Sequence, residues 1–498
     1  MQNVAFQQEL RPALPNVYGA LDYREFRETL IKMDEILSKS QLEHDIVSHA
    51  LEEFEKDHSI EPAKFYSSKT FNYHYKLFRY ALRCNIARHL IGESYRQFSI
   101  HLADSTILQW FTGISAFGMR KAVSKSSLER YEKYFNEEFI HKIIRQWLST
   151  LSETDKALDC GLQEPIDCHT VLLDTTCINA HIHFPVDWLL LRDAARSLLL
   201  AIMTIRKQGL KSRMIEPKML LKQMNKLCIE MTHTRRKADS KKQRKSVLRD
   251  MKKLSQRIKK QAYRYRELLQ NEWEKTEWTE RQAQQVIGRI DNILEQLPAA
   301  IKQAHDRIIG GRQIESSEKI LSLYDRDIHV IVRGKAGHEV EFGQRFLLSE
   351  QRNGIIIDWE LYSKKKSPTD SELVEPTINR IEEDYGAINS VTADRGFSSK
   401  RANKILAEKN IYNGICPKSP KQLQARLTEP KFVELQTRRS QTEGRIGIFK
   451  NVFLGKPLRS RITLNKRHAI NWCVLTHNLW VLSRKTISEE KMELKKAA

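Results

Sequence analysis

The 498-residue chain has room for about three domains and a substantial buried core. Lysine and arginine number 84 against 62 aspartates and glutamates, and the net charge of +22 favours polyanionic partners. Seven cysteines without a CxxC pair argue against a disulfide scaffold and for a reduced cytoplasmic setting. The start, MQNVAFQQELR, lacks a charged region followed by an apolar one. The greasiest segment, WLLLRDAARSLLLAIMTI, is interrupted by Arg192, Asp193 and Arg196, so neither secretion nor membrane spanning is expected.

Residues 1–160 read as an all-α domain with almost no strand signal. KLFRYALRCNIARHLI, ESYRQFSIHL, STILQWF and SKSSLERYEKYF are its periodic segments, with Ser94 and Ser126 or Ser127 as N-cap candidates. The last elements fit a helix-turn-helix whose recognition helix carries Arg130, Lys133 and Tyr134 toward DNA. The same pattern fits a helical bundle with a solvated charged face. HTVLLD then reads as a buried strand at 169–174 that delivers Asp174 at its end.

A helical region follows at 188–312, read as an inserted antiparallel hairpin. Leu220, Met224, Leu227 and Met231 keep an apolar spacing, as do Val247, Met251, Leu254 and Ile258. Thr279 with Gln282 reads as a capping box. From Arg206 to Arg266 there are 22 lysines and arginines against 4 acids, a local net of +18. Arg235, Arg236, Lys241 and Lys242 lie in its densest run, which is expected to follow phosphates rather than form a merely solvated coiled coil.

Beyond 322 the pattern changes. DIHVIVRG, EVEFGQRFLLS and GIIIDWELYS read as strands, with a turn at 351–354. A helix near 372–385, a strand ending at Asp394, a helix near 398–409 and the strand IYNGICP follow. Asp370 is expected to cap the helix after the strands. Residues 165–187 and 313–485 therefore describe a mixed sheet flanked by helices, and 486–498 a charged tail. In RRSQTEGRIGIFK, Arg439, Glu443 and Lys450 are spaced i, i+4 and i+11, within about 40° of one another on an ideal helix. Gly444 and Gly447 in the same helix point to a closely approaching strand or phosphate backbone.

Asp174, Asp394 and Glu443 are the residue types a hard divalent cation takes, since Mg²⁺ prefers oxygen ligands and keeps waters that phosphate oxygens can replace. Two such ions can stabilise both oxygens of an in-line displacement at phosphorus. Arg439 and Lys450 add a fork and a point charge for phosphate. His181 and His183 have no further ligands at zinc spacing and read as packed or hydrogen-bonded. Asp187 and Asp193 read as capping or pairing on the next helix, and Trp472 and Trp480 as core.

These residues resemble the DDE transposases of bacterial insertion sequences, over about residues 90–480. Arg439, Glu443 and Lys450 match the family's tyrosine, arginine, glutamate, lysine signature, with Gln436 at the tyrosine position. LLDTTCINAHIHFPVDWLLLRDA, VRGKAGHEVEFGQRFLL and TADRGF resemble its first-aspartate block, second strand and second-aspartate block. The resemblance implies a ribonuclease H-like mixed five-stranded sheet flanked by helices, with a long helical insertion after the first strand. It implies Asp174, Asp394 and Glu443 as ligands of two Mg²⁺ ions, with Mn²⁺ able to substitute. It further implies duplex DNA as the partner, at the element's ends and at the target, a homodimer or larger assembly on that DNA, and a cytoplasmic, nucleoid-associated protein. A catalytically silent DNA-binding or repressor derivative is the alternative, and a structural coiled-coil protein built around 217–265 a third reading.

Overall fold

Val171, Leu172 and Leu173 are all buried, so the strand they form is covered on both faces. The computed structural model describes residues 13–14, 17–59, 69–115, 120–234, 240–335, 338–364, 367–455, 458 and 460–497. Among them are six strands: β1 (Thr170–Asn179), β2 (His329–Lys335), β3 (His338–Glu350), β4 (Ile356–Leu361), β5 (Ser390–Thr392) and β6 (Tyr412–Asn413). They make a mixed, open sheet in an α/β fold. β1 runs five residues past Asp174, which therefore sits mid-strand and not at a strand end. Thr175, Thr176 and Ile178 are β-branched and keep the chain extended.

The chain divides into two units, the first Met1–Ile178 with Arg345–Tyr362 and Lys366–Ala498, the second Asn179–Gln344 with Ser363–Lys365. In the first, β1 pairs in parallel with β5, and β5 in parallel with β6. Gly414 N donates to Val391 O (2.8 Å) and Cys416 N to Ala393 O (3.0 Å), extending that last pairing. β3 and β4 form an antiparallel hairpin. Its turn falls at the expected residues: Gly354 N donates to Gln351 O (2.9 Å), and Gly354 adopts φ +88°, a conformation that favours glycine.

The N-terminal helices share this unit's apolar core with the sheet, through residues such as Leu30, Phe98, Phe111, Ile144 and Ile357. Ser94 caps the Tyr95–Asp104 helix and Ser105 the Thr106–Thr112 helix. The Lys125–Lys133 helix is capped by Ser124 and not by Ser126 or Ser127. Ser124 has the extended backbone (φ −68°, ψ 154°) from which its hydroxyl accepts from Ser127 N. The Thr463–Ala497 helix continues through the expected tail. Its buried Asn478 acts as a partner strand for β4, accepting from Ile356 N (2.9 Å) and donating to Ile356 O (2.8 Å). Trp472 is buried in the core, while Trp480 is partly buried beside Phe453.

In the second unit, four described helices (Asp187–Lys207, Pro217–Thr234, Ser240–Glu272 and Glu280–Ile308) pack around a separate core. This replaces the expected hairpin. Leu190, Leu191, Ala194, Ala195, Leu198 and Leu199 bury an arc of about 180° of the first helix, wider than a single partner helix covers. Arg307 Nη1 lies 2.8 Å from Asp187, and the Thr279–Gln282 capping box is formed. His183 Nε2 lies 2.9 Å from Asp193 Oδ2. β2 pairs antiparallel with the N-terminal half of β3. β2 is the strand expected from DIHVIVRG, and with it the sheet has six strands where the resemblance implies five. Among the described residues no helix is long and apolar enough to cross a membrane.

β6 and β5 approach so closely that a Cβ on Gly414 would lie 2.5 Å from Thr392 Oγ1 and 3.1 Å from Val391 O. Gly414→Ala is expected to cost about 1–3 kcal/mol of stability through this overpacking. A lowered thermal transition would show it.

Candidate active site

The β1–β5 ladder pairs residues 220 apart, Thr170 with Ser390 through Leu172 with Thr392. Continuing that register by two residues on each chain sets Asp174 against Asp394, and neighbouring strands are about 4.8 Å apart. Asp394 lies two residues beyond the end of β5, not at the strand end that was expected, and caps the short turn Arg395–Phe397, its Oδ1 accepting from Gly396 N at 2.8 Å. Asp174 Oδ1 accepts from Thr175 N at 2.7 Å. Burial pushes the Asp174 carboxyl up from 3.8 to about 7, and the charges of Asp394 and Glu443 push the same way. The Thr175 amide and the Arg439 guanidinium oppose the rise without cancelling it. Asp394, Glu443 and Arg439 thus all lie within electrostatic reach of Asp174.

Glu443 comes from the Pro430–Ile448 helix, opened by Pro430 in its first turn. Its side chain is 58 % exposed and lies 3.5 Å from Arg439 Nη1. Arg439 Nε in turn donates to Gln436 Oε1 (3.2 Å). Gln436 Nε2 donates to Gly414 O (2.6 Å) and Ala393 O (3.2 Å), tying the helix to the ends of β5 and β6 next to Asp394. Gln436 therefore has a defined structural role at the position where the resembled signature has tyrosine.

The opposite side of the helix is fastened to the β3–β4 hairpin through Glu350, which is fully buried. Arg438 Nη2 lies 3.0 Å from Glu350 Oε1, and Thr442 Oγ1 donates to the same oxygen at 2.6 Å. Arg445 Nε lies 3.6 Å from Glu350 Oε2, an ion pair without a hydrogen bond. The spacing 438, 442, 445 is one helical stripe, as is 436, 439, 443. Arg445 lies across Gly354, where a Cβ would fall 1.9 Å from the guanidinium carbon.

Lys450 departs from the ideal stripe. The α-helix ends at Ile448, and Phe449–Phe453 form a wider π turn. The side chain is buried, and its amine donates to Thr176 Oγ1 at 3.1 Å. Thr176 is two residues beyond Asp174 and so shares its strand face. Gly444 and Gly447 have no heavy atom within 4 Å of a Cβ built on either, so no strand lies against them.

A fourth carboxylate borders the cluster. Thr369, in a capping box with Glu372, caps the Asp370–Tyr385 helix, and Asp370 is not the cap that was expected. Asp370 Oδ1 instead accepts from Thr175 Oγ1 (3.0 Å) and lies 3.5 Å from Arg345 Nη1. A Cβ on Gly396 would lie 3.0 Å from both Asp370 Oδ2 and Asp394 Oδ1, so these two acids flank one glycine. The threonine-x-x-glutamate box in SPTDSE carried the signal that frees Asp370.

The remaining sequence candidates lie on other elements. Arg130 and Lys133 are exposed on the Lys125–Lys133 helix, with local contacts to Ser127 (3.3 Å) and Glu129 (3.7 Å). Lys241 and Lys242 are exposed at the start of the Ser240–Glu272 helix, and Arg235 and Arg236 lie outside the described residues. Among the described residues no three His, Cys, Asp or Glu side chains stand close enough together to enclose an ion. Comparison of the chain with protein-family models, curated proteins and solved structures gives no match.

Two expectations follow from this geometry. A carboxyl with a raised folded-state pKa binds its proton more tightly folded than unfolded, so the stability this contributes is fully present below about pH 4, is lost as pH rises from about 4 through 7 and stays lost above. Asp174→Asn should raise the thermal transition by a few degrees at pH 8 and leave it nearly unchanged at pH 4. Removing the buried anion at Glu350 strands two guanidinium groups, and Glu350→Ala should cost about 3 kcal/mol or more in a denaturation experiment.

Proposed function

We propose that the chain is a DDE-type DNA transposase with a ribonuclease H-like core, acting on the terminal inverted repeats of an insertion sequence. The observation that supports this reading is the parallel β1–β5 register, which, continued two residues past Leu172 and Thr392, sets Asp174 beside Asp394, with Glu443 within electrostatic reach of Asp174. The helix bearing Glu443 also carries the arginine and lysine of the resembled signature. The partner is duplex DNA, both element end and target, and two ends held together call for a homodimer or larger assembly in the nucleoid.

The donor set fits a hard divalent cation. It is made of carboxylate oxygens, and the Asp174 carboxyl, raised first by burial and then by the charges of Asp394 and Glu443, is one whose anion a cation would stabilise. Asp174, Asp394 and Glu443 would hold two Mg²⁺ ions, or Mn²⁺ in their place. When bound, these supply charge neutralisation for an in-line displacement at phosphorus.

The residues of the chain do the positioning. Arg439 holds Glu443 and offers a planar fork to a phosphate, while the Lys450 amine, bonded to Thr176, adds positive charge on the Asp174 face of β1. The chemistry is two exchanges of oxygen at phosphorus. A water oxygen first bonds to phosphorus while the P–O3′ bond breaks, and the departing oxygen takes a proton to become a 3′-hydroxyl. That hydroxyl then attacks a target phosphodiester, giving up its proton as the target's own 3′ oxygen leaves.

In a strand-transfer assay on duplexes carrying the repeats that flank the coding region, with Mg²⁺ or Mn²⁺, Asp174→Asn, Asp394→Asn and Glu443→Gln should each reduce product to background. End binding by gel shift should persist. Transfer that survives all three substitutions would overturn the reading.

A further inference from the structure

The Ser240–Glu272 helix buries one side in the second unit through Val247, Met251, Leu254, Ile258, Ala262, Tyr265 and Leu269. The other side is exposed and carries Lys242, Arg249, Lys253, Arg257, Lys260 and Arg264. Their spacings of 7, 4, 4, 3 and 4 residues keep all six within about 80° on an ideal helix. They span 22 residues, about 33 Å at the helical rise.

Several cations off the stripe have partners, and those on it have no acidic one among the described residues. Off the stripe, Arg266 pairs with Asp291 (3.0 Å), Arg244 lies over Trp188, and Lys252 Nζ lies 3.2 Å from His305 Nδ1. On the stripe, none of the six has a carboxylate partner among the described residues, and Arg264 reaches only the Arg213 carbonyl at 3.5 Å. Asp250 lies off the line, and Glu267 ends it. Like charges three and four residues apart repel, so this arrangement works against the helix that carries it. A polyanion lying along the helix would turn that repulsion into attraction.

We infer that this stripe is a sequence-independent track for the phosphate backbone of duplex DNA, a second DNA surface separate from the acidic site. The length supports a duplex, since one turn of B-DNA rises about 34–36 Å. An anionic membrane fits less well: a helix lying in a bilayer surface must bury its apolar side in lipid, and here that side is already buried in protein. The track does not rest on the acidic site cutting DNA.

The test uses the full chain and a 30-base-pair DNA duplex of arbitrary sequence, followed by fluorescence anisotropy from 50 to 300 mM salt. The variant Arg249→Gln, Lys253→Gln, Arg257→Gln, Lys260→Gln should reduce the slope of log affinity against log salt by about 3–4, near 0.9 per lost phosphate contact. A control that removes the same charge from Arg281, Arg289, Lys302 and Arg312, exposed on or just after the Glu280–Ile308 helix, should leave the slope within about 1 of wild type. The stripe variant should melt no lower than wild type at low salt. Equal losses in both sets, an unchanged slope in the stripe variant, or a lowered melting temperature would overturn the track. So would tighter binding to phosphatidylserine vesicles, or to an RNA duplex of equal length, than to the DNA. No strand transfer is read, so failure here is distinguishable from failure of the transposase reading.

Discussion

The parallel register of β1 and β5 is the constraint on which the acidic cluster depends. Backbone hydrogen bonding fixes which residues stand side by side, and the buried Val171, Leu172 and Val391 make a slip expensive, because a one-residue shift would exchange the two faces of the strand. Burial in the sheet, with a further push from the charges of Asp394 and Glu443, makes the Asp174 carboxyl hold its proton to near-neutral pH. A core strand that carries a carboxyl midway along an otherwise apolar stretch concentrates electrostatic tension at one place in the sheet.

The helix carrying Glu443 is set by two different kinds of contact. Glu350 holds one stripe through Arg438, Thr442 and Arg445, a buried charge network that demands a particular rotation of the helix. Gln436 holds the other stripe with neutral hydrogen bonds to the backbone of β5 and β6. Glu443 itself is left mostly to solvent, free to change rotamer while its helix is fixed. The π turn that follows gives Lys450 a different environment. Its amine is buried against Thr176, whereas continuation of the ideal helix would have kept it on the stripe of Arg439 and Glu443.

Much of this was legible from residue patterns, and the failures have physical causes. β-Branched and apolar runs located β1, the β3–β4 hairpin with its Gln351–Gly354 turn, and the segment ending at Asp394. The extent of β1 was not legible, because Asp174 reads as a strand terminus unless one knows that Thr175 and Thr176 remain paired beyond it. Caps were misplaced by two or three residues at Ser124 and by one at Thr369, since several adjacent hydroxyl or acidic residues compete and backbone geometry chooses among them. The contacts of Glu350 and Gln436 are long-range in sequence and left no local signal. The four-helix second unit was read as a hairpin because the apolar helix at Asp187–Lys207 gives periodicity without revealing how many neighbours cover it.

The second unit interrupts the first: the chain leaves after Ile178 and returns at Arg345. During synthesis on the ribosome, almost all of the interrupting unit has emerged before the first unit possesses β4, β5 or β6. At about 5–20 residues per second, Asp174 precedes Glu443 by on the order of tens of seconds. The nascent chain thus carries β1 without its parallel neighbour through that interval, with only the earlier N-terminal helices present of the core it joins. The arrival of Asp394 and Glu443 near Asp174 is consequently among the last events in the life of the growing polypeptide, after the residues of the basic helices have emerged.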